Sequence, residues 1–149
     1  MSVTATTAPR PAAGTAASDL LRTTLRVDSW STAVFGVILL AGGAWLSDPL
    51  GLPTTWSVPF GIAMLGGAAA LALIAGHPRI PPRLGATVVV GNTLSCVAML
   101  VLTFTDAIPL TGLGTTFMVV GAVVVAAFAD VEFIGLRRLQ AAPPHPLDQ

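Results

Sequence analysis

Apolar and polar positions are segregated in blocks along this chain. Uncharged stretches run from Asp28 to Asp48, Asp48 to Arg79, Arg83 to Asp106 and Asp106 to Asp130, and charge, proline and glycine collect between them. Each stretch holds close to, or more than, the ~20 residues that a helix needs to cross ~30 Å of hydrocarbon. Runs such as 34–44 and 119–129 are apolar all round. They lack the alternation of a β-barrel strand and the charged face of a helix in a soluble bundle. The pattern predicts an all-α membrane protein with four transmembrane helices in an up-down-up-down bundle, at about 30–46, 58–76, 84–104 and 113–136.

Local chemistry places the ends of these helices. Asp28 and Ser29 offer oxygen acceptors to cap the first. Trp30 and Trp45, about 22 Å apart at 1.5 Å per residue, suit an aromatic belt at the two interfaces. Pro49, Gly51 and Pro53 break the chain into a turn, and Pro59 falls in the first turn of the second helix, where a missing amide hydrogen costs little. The segment from His77 to Arg83 contains Pro78, Pro81 and Pro82 and cannot be helical throughout. The two outer turns, around Asp48-Pro49-Leu50 and Asp106 to Leu110, resemble each other and raise the idea of a duplicated two-helix hairpin.

Residues 1–25 are rich in Ala, Thr, Ser and Pro and read as a disordered cytoplasmic tail. They hold no apolar run of signal-peptide length, so the first crossing is expected to direct insertion as well. Residues 26–138 form the four-span membrane domain, and 139–149, with Pro143, Pro144 and Pro146, form a second cytoplasmic tail.

Composition supports this division. Hydrophobic residues make up 54% of the 149-residue chain and charged residues 9%, against roughly a quarter charged in soluble domains. All seven basic residues are arginines. Arg10, Arg22 and Arg26 precede the first span, Arg79 and Arg83 lie between the second and third, and Arg137 and Arg138 follow the fourth. The positive-inside rule therefore places this face, and both termini, in the cytoplasm of a multi-pass cell-membrane protein.

Little in the chain signals catalysis. The single cysteine, Cys96, rules out an internal disulfide or a CxxC pair. His77 and His145 lie in a connector and a tail, so no pair of intramembrane histidines could hold a haem. Phosphate-binding loops, zinc spacings and nucleophile motifs are absent. No cofactor, metal or nucleic acid is expected.

The intramembrane polar residues are the candidates for a site. Gly85, Asn92, Ser95, Met99 and Thr103 share one face of the third helix by their spacing, and that face should point inward. Asn92 lies ~12 Å past Leu84, deep enough for its amide to need a partner. Asp130 and Glu132 are acids inside the fourth span, where ionisable groups are costly and default to function. Two residues apart, they face nearly opposite ways, so at most one faces the bundle. A polar cluster of Asn92, Asp130 or Glu132, Arg26 and Asp28 in the cytoplasmic half is the expected site, with Asn92 and Asp130 at its centre. Small residues, Gly36, Gly42 and Gly43 on the first helix and Gly61, Gly66 and Gly67 on the second, favour close packing.

Arg26-Val27-Asp28 opening the first helix, Asn92 in the third and Phe128 to Arg138 closing the fourth resemble small four-helix integral membrane proteins of GC-rich Gram-positive bacteria. The likeness covers about residues 26–138 and implies topology without an assigned activity. It also implies that an amide can stand at the position of Glu132, which bears against an obligatory proton role there. Two functions follow as expectations. The first is a non-enzymatic accessory or structural membrane protein. The second is a small transporter or channel component using the polar site, as a homo-oligomer. Membrane lipids are the expected partners, and an unknown membrane protein is a further one.

Overall fold

The computed structural model describes residues 13–105 and 107–141. Arg10, Asp106, His145 and the prolines Pro143, Pro144 and Pro146 lie outside the described residues. Within them the chain forms four helices and no strand: α1 (Ala13–Leu50), α2 (Thr54–Ala75), α3 (Pro82–Phe104) and α4 (Gly112–Ala141). All four are long and apolar enough to cross a membrane.

The largest departure from expectation is at the start of α1. Residues 13–25, assigned by composition to a disordered tail, continue the helix in the N-terminal direction. Packing explains this. Ala17, Leu21, Thr24, Leu25, Asp28 and Ser29 are buried, and their spacing of three and four traces one face of a helix. Leu21 and Leu25 join Leu71, Ala75, Ile80 and Val88 in an apolar cluster that Leu139 also packs against. The Arg22 guanidinium adds a clamp, donating to the carbonyls of His77 at 2.8 Å and Pro78 at 2.9 Å. Asp28 and Ser29 consequently sit inside the helix and do not cap it. At the other terminus, α4 absorbs 139–141 of the expected second tail.

The turn between α1 and α2 is set by glycine geometry. α1 runs on through Pro49 to Leu50, and Gly51 then adopts φ +64°. The Leu52 amide returns to the Ser47 carbonyl at 3.1 Å, the six-to-one bond of a Schellman ending. Thr111 seals the same corner from the turn between α3 and α4. Its hydroxyl donates to the Pro49 carbonyl at 2.6 Å, its amide donates to the Leu50 carbonyl at 3.1 Å, and its hydroxyl oxygen accepts the Gly114 amide at 3.0 Å. One residue thus caps the start of α4 and satisfies carbonyls at the end of α1.

α1 packs along α2 and α4, and α4 packs along α3, whereas α2 and α3 barely meet. A two-fold relating two hairpins would map the α1–α4 contact onto an equal α3–α2 contact. Its near absence shows that the similar turns do not reflect a symmetric arrangement.

Small residues let α1 and α2 approach closely. A β-carbon on Gly61 would stand 2.6 Å from Leu40 and 2.9 Å from the Gly36 carbonyl, and one on Gly43 would stand 2.6 Å from the Ser57 hydroxyl. Gly66 and Gly67 face open space instead. At the end of the bundle that holds the α1–α2 and α3–α4 turns, Leu39, Leu50, Leu52 and Ile108 form a second apolar cluster edged by Trp56, Phe60 and Phe117.

Candidate functional site

Three of the helices deliver polar side chains to one point next to the Leu21–Leu25 cluster. Asp28 comes from α1, Asn92 from α3 and Glu132 from α4. The Asn92 amide nitrogen donates to Asp28 Oδ2 at 2.8 Å and to Glu132 Oε2 at 3.0 Å. Two acceptors on one nitrogen fix which end of the amide faces them, because its oxygen would repel both carboxyls. One turn further along α1, the Thr32 hydroxyl donates to Asp28 Oδ1 at 3.1 Å. Glu132 is 0% exposed and Asp28 2% exposed, and Glu132 Oε1 is buried without a partner.

The local sequence explains this convergence. On α4, Ala129, Glu132, Gly135 and Leu136 are all buried, at the spacing of an inward face. Gly135 lets α1 approach, since a β-carbon there would stand 3.3 Å from Leu21 Cβ. On α3, Gly85 does the same for Leu136, at 3.0 Å. These glycines draw α1, α3 and α4 close enough for short side chains to bridge them.

The five expected site residues therefore divide. Asp28, Asn92 and Glu132 come together, while Asp130 and Arg26 are exposed. Asp130 follows from the 100° step between helical residues, since burying Glu132 turns it outward. Arg26, two residues before Asp28, is likewise turned away and lines a shallow groove of about 470 Å³ with Val27, Trp30, Ser31, Val34 and Phe35. A second groove of about 400 Å³ is lined by Phe133, Ile134, Arg137, Arg138 and Ala141. Neither groove includes Asp28, Asn92 or Glu132. On α3, Gly85 is buried and Asn92, Met99 and Thr103 are half-buried, but Ser95 is exposed and its hydroxyl bonds the Gly91 carbonyl of its own helix.

Thr32 is not singled out by the sequence, and Ser29 reads there only as a helix cap. Thr32 supports Asp28, and the four-residue Asp28–Thr32 spacing was the signal for it. Ser29 is buried and donates to the Ala68 carbonyl of α2 at 2.8 Å; a cap and an interhelical donor look alike in sequence.

Four long apolar helices around a small buried polar cluster define a multi-pass helical membrane protein. The chain matches no known family model, no curated protein and no solved structure.

Proposed function

We infer that the protein is a non-enzymatic structural or accessory component of the cell membrane, in which the Asp28–Asn92–Glu132 cluster is a lock that ties α3, which packs chiefly along α4, to the rest of the bundle. The observation carrying this reading is how α3 is attached. It packs along α4 and barely meets α2. The hydroxyls of Thr87, Thr93, Ser95 and Thr103 all bond carbonyls of α3 itself. Asn92 reaches two other helices at once. In lipid, where apolar burial gives no net drive for helix association, such polar bridges and close packing hold helices together.

The alternative, a small transporter or channel component working through the same cluster, is less well supported. The Glu132 carboxyl is fully buried and neither groove reaches it. Reconstitution into vesicles tests the choice. Proton and alkali-cation flux equal to that of empty vesicles is expected, and a flux abolished by Glu132→Gln would overturn the structural reading.

The lock also implies an orientation. Arg22, clamped to the 77–78 connector, shares one end of the bundle with Arg79, Arg83, Arg137 and Arg138, and the positive-inside rule makes that end cytoplasmic. Topology reporters fused at Pro81 and at Gln149 should both read cytoplasmic; an outside signal at either would refute the orientation.

A further inference from the structure

The lock has fewer hydrogen-bond donors than acceptors. Its two carboxyl groups present four oxygens. Thr32 supplies one hydrogen, to Asp28 Oδ1, and the Asn92 amide supplies two, to Asp28 Oδ2 and Glu132 Oε2. Both of these side chains then have no hydrogen left to give. Glu132 Oε1 stays buried and unpartnered, and a buried polar atom without a partner is costly.

Among the described residues no positive charge balances the pair. On α1, Asp19, Arg26 and Asp48 are exposed, and Arg22 gives one guanidinium nitrogen to the carbonyls of His77 and Pro78 while its Nε is buried without a partner. On α3 and α4, Arg83, Asp130, Arg137 and Arg138 are exposed, as is Arg79 on the connector. α2 carries no charged residue. One Asn92 amide nitrogen lies 2.8 Å from Asp28 Oδ2 and 3.0 Å from Glu132 Oε2, so the two carboxyls are held close together. Two like charges at that separation, out of water and without a cation, are far too costly to persist.

We propose that the Asp28–Asn92–Glu132 cluster is a proton-binding site, holding one exchangeable proton between the Asp28 and Glu132 carboxyl groups. That proton is the fourth donor hydrogen. Carried on Glu132, it is donated to Asp28, leaves a single negative charge on the pair, and lets Asn92 bridge two groups that would otherwise repel. The inference rests on the reading of the cluster as a helix lock, and it makes the lock conditional on a bound proton.

Infrared spectroscopy of the full chain in phospholipid nanodiscs at neutral pH tests it, because a protonated carboxyl has a C=O stretch that ionised carboxylates lack. One such band is expected in the wild type and none in Glu132→Gln, whose amide supplies the missing N–H and keeps the helices in place. If Glu132→Gln does not fold, Asp28→Asn gives the same reading, since its amide also replaces the proton. A wild type without the band would overturn the proposal, as would a band that survives either substitution. A band lost on adding sodium at constant pH would also overturn it, because the ligand would then be a metal cation. Vesicle flux would refute the lock reading without touching the band, whereas a missing band refutes only the bound proton.

Discussion

Replacing Asn92 by Ala removes the bridge between α3 and its two partners and leaves both helix backbones free to stay as they are. Two interhelical hydrogen bonds, of 2.8 and 3.0 Å, are lost. Such bonds average ~0.6 kcal/mol in membranes and reach ~1.7 kcal/mol. These belong at the upper end, because the acceptors left behind are buried and no water replaces the donor. The pair therefore contributes about 2–3 kcal/mol, a shift of roughly 30- to 150-fold in the unfolding equilibrium. Unfolding in mixed micelles, followed by circular dichroism and by tryptophan emission, to which Trp30 two residues from Asp28 contributes, measures it. Asp130→Asn is the matched control, since Asp130 is exposed and should change stability by less than ~0.5 kcal/mol. If Asn92→Ala falls within ~0.5 kcal/mol of that control, the cluster does not hold α3 and the structural reading fails.

Other perturbations test the packing. Leu21→Ala should cost about 2–5 kcal/mol, because Leu21 is fully buried and truncation leaves a cavity; an unchanged melting temperature would mean that residues 13–25 do not pack. Gly61→Ala should force α1 and α2 apart against Leu40 and the Gly36 carbonyl and cost about 1–3 kcal/mol, while Gly67→Ala, facing open space, should be neutral or slightly stabilising in the same micelle unfolding assay. Gly51→Ala combines a left-handed backbone with a clash against the Pro109 carbonyl, so thermal scans should show a loss of at least ~1–2 kcal/mol. Thr111→Val should raise hydrogen exchange at the Gly114 amide, which bonds the threonine oxygen, and equal exchange would show that this cap is idle.

Four helices and their approximate spans were legible in the chain because the bilayer imposes a length and an apolarity that composition reports directly. Asn92, Asp28 and the pair of acids were legible for a related reason, since polar groups in such segments are few and each needs a partner. The extension of α1 to Ala13 was harder to see. Its amphipathic face (Ala17, Leu21, Leu25) stands in a segment whose average composition is that of a tail, and helix formation there depends on what the face packs against.

The choice between Asp130 and Glu132 shows where sequence stops. Spacing established that the two acids point apart and that at most one enters the bundle, but periodicity carries no absolute phase. Gly135 and Gly85, by admitting Leu21 and Leu136, set the rotation of α4 and so bury Glu132 and expose Asp130. Sequence alone determined that this protein is built for lipid and how many times its helices can cross. Which polar groups meet emerges from packing, because a contact between residues 28, 92 and 132 depends on helix rotation and separation, which side-chain volumes on three different helices set together.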